Sequence, residues 1–406
     1  MSSSVTILPQ ARLSGTIVRL PSSKSLSNRA LVIQALTGKT GIVENLSEAH
    51  DTVLMQRLLH TPAEVIDAED AGTVMRFLTA FYAVTGRRCT LTGTARMQKR
   101  PISELVEALR KLGAHIDYAA AEGYPPLRLG GFESQQIDNL SIRGDISSQF
   151  ISALMMVAPV LPRGLTLALT GKVASRPYLE MTAALMRHYG AKVSVDEANI
   201  RVAPGSYQAT PYVVEPDWSA ASYWFSFAAL AQKADIVLPR VSTSSLQGDR
   251  VIAEIMKKLG VIATFGPAGL RLTGGGEKAT ELTVDFSECP DLAQTVLPAC
   301  AALGISGAFT GMESLRIKET DRILALQQEL AKIGAVLEEQ GSRWQLTPSM
   351  KLPESVVFAT YGDHRMAMGF APLATRTRVT IDDRAVVRKS YPSFWEDMAG
   401  AGFRVN

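Results

Sequence analysis

The chain has 406 residues, 46% hydrophobic and 20% charged, the balance of a soluble globular protein too long for a single core. Its 42 Lys and Arg against 39 Asp and Glu leave a net charge of +3, too weak for bulk attraction to nucleic acid, so anions must be met by local groups of cations. No apolar run approaches the roughly 20 residues of a membrane span, MSSSVTILPQ carries no secretory pattern, and three cysteines without close pairing fit a reducing cytoplasm.

In chain order, the first clear element is the stretch LPSSKSLSNRALVIQAL at 20–36, where serines that favour helix caps precede an apolar helical run. AGTVMRFLTAFYAVTG, ISELVEALRKLGA, SSQFISALMMVAPVL and YLEMTAALMRHYGA follow as helices. SAASYWFSFAAL, DRVIAEIMKKLG, DLAQTVLPACAALG, KETDRILALQQELAKIGA and HRMAMGFAPLAT continue the series, and many of these end in Gly. Between them lie β-branched or alternating pieces: TIVRL, RCTLTG, LTLALTG, KVSVD, DIVLP and RVTIDD. ISELVEALRKLGAHIDY, YLEMTAALMRHYGAKVSV, DRVIAEIMKKLGVIATF and DRILALQQELAKIGAVLEE share one plan of amphipathic helix, Gly and short strand. Copies of one α/β motif packed globularly are expected, with VVEPDWSAASY as the mid-chain boundary.

The polar residues gather at the helix starts. Lys24 stands at the entry of the first helix, where the dipole prefers an anion, and Ser25 and Arg29 lie one turn apart behind it. A capped surface helix with solvated cations accounts for this stretch, and so does an anion site built from hydroxyls and free N–H groups. Ser147, Ser148 and Gln149 head another helix, and Ser175, Arg176 and Tyr178 a third, a recurrence that favours a shared polar cavity. Arg96, Lys99 and Arg100 occupy a loop, while Arg316, Lys318 and Arg322 surround Glu319. His364 with Arg365, and Arg388 with Lys389, complete the cationic set. Arg322 and Arg365 each run straight into apolar sequence, a poor fit to a solvated face, and guanidinium forks suit carboxylate and phosphate. Glu319, flanked by Lys318 and Arg322, is placed to stay ionised or to pass a proton, and Asp291 after Pro290 stands where a helix should begin.

Other chemistries fail on spacing. Gly38-Lys39-Thr40 mimics the end of a phosphate loop, but Ile33 occupies the position of its first glycine, and Gly171-Lys172 fails at Thr166. There is no G-x-G-x-x-G after a strand, no H-E-x-x-H, no C-x-x-C and no G-x-S-x-G. What is left is transfer chemistry on a doubly anionic substrate.

LPSSKSLSNRA, EDAGTVMRF, ARMQKRPI, SSQF, SRPY, RIKETDR, YGDHRMAM and Lys389 resemble, in order, the signatures of the EPSP synthase (3-phosphoshikimate 1-carboxyvinyltransferase) family, from about residue 20 to 391. The resemblance implies two similar α/β domains, each of three βαβαββ units, at 22–215 and at 1–21 with 216–406, and an active site in the interdomain cleft. It implies addition–elimination transfer of the enolpyruvyl group of phosphoenolpyruvate to the 5-hydroxyl of 3-phosphoshikimate, in the shikimate pathway to chorismate and aromatic amino acids. A cytoplasmic monomer is implied, with no cofactor, no metal, no nucleic acid and no membrane partner.

Carried over by motif position, Glu319 is the expected proton donor, Asp291 the acceptor, and Lys24 the bridge between the two substrates. Ser25, Arg29, Ser147, Ser148 and Gln149 are expected to hold 3-phosphoshikimate, with Ser175, Tyr178, Asp291, Ser314 and Lys318. Lys24, Gly72, Arg96 and Gln149 are expected around phosphoenolpyruvate, with Arg322, Arg365 and Lys389. Ser314 stands where the family commonly has Asn, Asp70 likewise, and Phe77 where it has Pro. Retention of Gly72 leaves room for phosphoenolpyruvate analogues, so competitive inhibition by glyphosate is expected. The sister transferase acting on UDP-N-acetylglucosamine commonly uses a loop cysteine as acid, and TGTARMQKRP has none. A non-catalytic anion-binding protein on the same repeat would not need Glu319 and Asp291 beside its cations.

Overall fold

A computed structural model describes residues 4–145, 147–348 and 351–406. Its contacts divide the chain into two units, Met1–Ser22 with Glu215–Asn406, and Ser23–Val214. These limits fall one residue inside the expected 22–215 at each end.

One four-stranded sheet recurs four times. In the Ser23–Val214 unit, Val65–Asp67 pairs parallel with Cys89–Thr92, which pairs antiparallel with Leu127–Phe132, which pairs antiparallel with Ala114–Tyr118. The order is the same for Asn139–Arg143, Leu165–Thr170, Asn199–Val202 and Val193–Val195. In the other unit it holds for Glu281–Asp285, Ser306–Thr310, Arg343–Thr347 and Val336–Gln340. There Arg12–Ile17 also pairs parallel with Lys233–Leu238, followed by Gly269–Thr273 and Ile262–Gly266. The N-terminal strand thus belongs with the C-terminal half. The third repeat in each unit is abbreviated: Val5–Ile7, Arg378–Ile381 and Ser355–Phe358 in one, Val43–Glu44 beside Tyr212–Val213 in the other.

Each sheet has two kinds of helix, and the sequence pattern separates them. Those between the parallel strands, such as Gly72–Val84, Ser148–Val157, Trp218–Leu230 and Ala293–Leu303, are apolar nearly all round and buried. Those before the edge strand, such as Ser103–Leu112, Arg176–His188 and Arg322–Ala331, are amphipathic and show one face to solvent. The four similar segments of the sequence are this outer kind.

Three sequence expectations shift. KETDRILAL is helical only from Arg322, because the Asp321 side chain accepts from the Leu324 N–H and caps the helix there. DRVIAEIMKKLG splits into a 3-10 turn, Gly248–Val251, and a short α-helix, Ile252–Lys257. The strand expected at TIVRL lies earlier, at Arg12–Ile17, since its pairing with Lys233–Leu238 starts at Arg12. Two further helices, His50–Leu59 and Phe394–Gly400, had no counterpart among the expected elements.

Candidate active site

In the unit formed by 1–22 and 215–406, two guanidinium groups hold three carboxylates. Arg322, 2% exposed at the first turn of its helix, donates from Nε to Asp363 Oδ2 at 2.6 Å. Its Nη1 donates to Asp291 Oδ1 at 2.9 Å and its Nη2 to Glu319 Oε2 at 2.8 Å. Arg365 donates from Nη2 to Asp291 Oδ2 at 2.8 Å and from Nη1 to the Asp291 carbonyl at 3.3 Å. It is the second residue of the His364–Phe370 helix, whose cap is the Asp363 side chain accepting from the Arg365 N–H.

This geometry sets the charges. Burial alone would raise the Asp291 carboxyl, but Arg365, Arg322 and Lys318 more than offset it and hold the group well below the usual carboxylate range. Burial likewise works against the Arg322 charge, and Asp363, Glu319 and Asp291 overcome it and keep the guanidinium firmly protonated. Asp291, Glu319, Lys318, Arg322 and Arg365 are therefore brought together. Ser314 lies half-buried in the adjoining 3-10 segment Glu313–Ile317. Lys389 is buried at the end of Arg384–Lys389, which packs on the His364–Phe370 helix.

In the Ser23–Val214 unit the buried Arg29 sits instead among neutral acceptors. Arg29 donates to Thr182 Oγ1 at 2.7 Å, to the Ser25 carbonyl at 3.0 Å and to Ser152 Oγ at 3.2 Å. The rings of Phe77 and Tyr178 lie 5.3 and 5.8 Å from its guanidinium carbon. Gln149 Nε2 reaches Thr73 Oγ1 at 3.5 Å, so the starts of two inner helices meet. Ser147 caps its helix by accepting from the Gln149 N–H, and Ser148 opens the first turn. Ser175 sits at φ +56°, the left-handed region that costs a non-glycine residue energy, and makes no cap bond to the helix it precedes.

Gly72 is crowded by arginines. A Cβ there would stand 2.7 Å from Arg100 Nη1 and 2.9 Å from Arg76 Nη1. Arg96 is exposed at the head of the 3-10 turn Met97–Lys99. Lys24 meets Asp51 Oδ2 at 3.1 Å, so a carboxylate of the protein stands beside the cation at this helix start.

Sequence reasoning missed Asp51, Ser152, Thr182, Arg76 and Asp363. Signals existed for several of them. Ser152 and Thr182 fall one turn after Ser148 and Tyr178, and Asp363 stands inside YGDHRMAM as an evident helix cap. Asp51 had no such signal, because it lies on the unexpected helix His50–Leu59.

Repeated α/β units, one with arginine-bound carboxylates and the other with arginines and a lysine at its helix starts, suit a protein that handles small anionic molecules. A family model described as EPSP synthase (3-phosphoshikimate 1-carboxyvinyltransferase) matches residues 7–61 and 56–398. A 3-phosphoshikimate 1-carboxyvinyltransferase of Bacteroides fragilis is 47% identical over 392 residues, 96% of this chain and 95% of the relative. One from Klebsiella pneumoniae is 37% identical over 429 residues, 98% of each chain. A solved EPSP synthase from Acinetobacter baumannii shares the fold at a TM-score of 0.79 and 22% identity, covering 99% of both chains. This chain belongs to the EPSP synthase family. No described helix is long and apolar enough to cross a membrane.

Proposed function

We propose that this chain transfers the 1-carboxyvinyl group of phosphoenolpyruvate to the 5-hydroxyl of 3-phosphoshikimate, releasing phosphate. The observation that carries this reading is the family match running from residue 7 to residue 398. The charges on the two units fit the reaction. Protonating the methylene carbon of phosphoenolpyruvate makes its neighbouring carbon electrophilic, and the 5-oxygen attacks it as its own proton leaves. The tetrahedral adduct then expels phosphate and loses a methyl proton to restore the double bond. One acid and one base are required, in a cationic setting that steadies carboxylate and phosphate.

Glu319 is assigned as the donor and Asp291 as the acceptor. Arg322, which grips both, fixes their spacing. Arg29, Ser25, Ser175, Tyr178 and the segment 147–149 are assigned to 3-phosphoshikimate, with Ser314 and Lys318. Gly72, Arg96, Arg322, Arg365, Gln149 and Lys389 are assigned to phosphoenolpyruvate. Lys24 serves both, and Asp51 holds its ammonium in place beforehand. We read the enzyme as a cytoplasmic monomer that takes no nucleic acid, from its free cysteines and weak net charge.

The test is phosphate release with both substrates. Glu319→Gln and Asp291→Asn should each lower kcat by roughly two to four orders of magnitude. Arg96→Ala should keep much of kcat and raise KM for phosphoenolpyruvate by at least about tenfold. Wild-type constants in all three would remove these assignments.

A further inference from the structure

Asp291 presents a chemical difficulty, since a carboxylate clasped by Arg322 and Arg365 is a weak base. Behind it lies a fourth carboxylate that the proposed roles leave unused. Asp249, 4% exposed in the Gly248–Val251 turn, accepts a short hydrogen bond from Ser219 Oγ. Ser219 opens the Trp218–Leu230 helix, and the same oxygen accepts from Arg365 Nη2 at 3.4 Å. That Nη2 is the nitrogen bound to Asp291 Oδ2 at 2.8 Å. A continuous chain, Asp249, Ser219, Arg365, Asp291, therefore joins four elements of one unit.

We propose that Asp249 is a positioning residue for the transfer reaction: its carboxylate, acting through Ser219, draws on the Arg365 guanidinium and raises the basicity of Asp291. This rests on the reading of Asp291 as the proton acceptor. The electrostatics run in the required direction. An anion behind Arg365 shares the cation's field, so Asp291 is less tightly held while Asp249 is ionised and more tightly held when it is neutral. The charged and titratable groups acting on Asp249 are Asp291 and Arg365, Asp217 at the cap of the Trp218–Leu230 helix, and the Cys289 thiol, which Asp249 in turn pushes up. Burial first, then the Asp291 charge, lift the Asp249 carboxyl to about 6, only partly opposed by Arg365 and Ser219. It thus changes charge just below neutrality.

A raised carboxyl also reverses the usual stability sign. The folded group binds its proton more tightly than the unfolded one, so ionising Asp249 costs stability, and the cost grows as pH rises from the free carboxylate range through about 6. A side chain kept only to hold the fold together would not be ionised at a cost to the fold.

Asp249→Asn keeps an oxygen to accept from Ser219 and removes only the charge, and Ser219→Ala breaks the link itself. Both are measured in the full-length chain with both substrates from pH 5 to 8.5, together with melting temperature. At pH 7.5, Asp249→Asn should lower kcat by roughly 10- to 100-fold with KM for 3-phosphoshikimate little changed, while its melting temperature equals or exceeds the wild type. The acidic limb of the wild-type kcat profile near pH 6 should disappear, and Ser219→Ala should weaken it. An Asp249→Asn enzyme with wild-type kcat and profile overturns the proposal. So does one that loses kcat only in step with a fallen melting temperature, its pH profile unmoved. Asp291→Asn run alongside separates the two claims. If it retains wild-type turnover, the acceptor reading falls and takes this proposal with it; if it is inactive while Asp249→Asn is normal, only this proposal fails.

Discussion

Arg29 is 2% exposed, and its hydrogen-bond partners are a carbonyl and two hydroxyls, with two aromatic faces alongside. Burial lowers its guanidinium to about 10, with the Tyr178 hydroxyl opposing. The folded value lies below the free one, so the charge costs stability at every pH below about 10 and the cost is relieved only above it. On the proposed reading of Arg29, the anion that answers this buried cation arrives with 3-phosphoshikimate. Arg29→Met should therefore raise KM for 3-phosphoshikimate more than about tenfold while the melting temperature stays level or rises by a few degrees. A large fall in melting temperature would mark Arg29 as structural. Gly72 makes the companion case. The added methyl of Gly72→Ala would collide with the ends of Arg76 and Arg100, side chains able to give way, so the fold should survive. The displaced guanidinium groups should raise KM for phosphoenolpyruvate severalfold, and the inhibition constant of glyphosate with it. Unchanged constants in competition assays would mean that the glycine faces no ligand. Both residues were legible in the sequence. The roles of Thr182, Ser152 and Arg76 were not, because one helical turn of spacing says which residues share a face but not which neighbour that face meets.

At the scale of elements, the inner helices place chemistry at their first turns, and the caps there carry more than backbone geometry. Asp363 is fully buried, caps the His364–Phe370 helix, and receives Arg322 Nε at 2.6 Å. Asp363→Ala would leave that guanidinium short of a partner in a buried setting and remove a cap at once. The two losses should cost about 3–5 kcal/mol and about 1 kcal/mol respectively. Thermal unfolding should show a drop of many degrees, and Asp363→Asn, which keeps the cap, a smaller one. Equal melting temperatures for the two would mean that the charge pairing contributes nothing. Helix and strand alternation was readable from periodicity, since amphipathic outer helices and β-branched strands carry plain signals. The inner helices were readable as helices but not as inner, for a nearly uniform apolar run has no face to assign. The helix start at Arg322 was misplaced because Lys318 to Asp321 look helical until the Asp321 cap is seen.

At the scale of the whole chain, no local pattern announces that Arg12–Ile17 pairs with Lys233–Leu238. The pairing spans an entire unit, and only the ordered motifs of the family pointed to it. Its consequence is that one unit is discontinuous in sequence and the other, Ser23–Val214, is continuous. The continuous unit has its own apolar core and two complete four-stranded sheets. Its ends are tied to each other: Tyr212–Val213 pairs with Val43–Glu44, and Asn45 Nδ2 donates to the Val214 carbonyl at 2.6 Å. Among the described residues, the buried members of that core all lie between Leu26 and Val214, and a domain of this length is large enough to stand alone. The fragment 23–214 should therefore fold by itself and unfold in one cooperative step, followed by circular dichroism. It keeps Arg29, Ser147, Ser148, Gln149, Ser175 and Tyr178 and lacks Asp291, Glu319, Arg322 and Arg365. It should then bind 3-phosphoshikimate, measured by calorimetry, with much lower affinity than the full chain, and release no phosphate from phosphoenolpyruvate. A fragment that binds nothing while folded would place the 3-phosphoshikimate contacts elsewhere. A fragment that melts without cooperativity would mean that this unit needs residues outside 23–214 in order to fold.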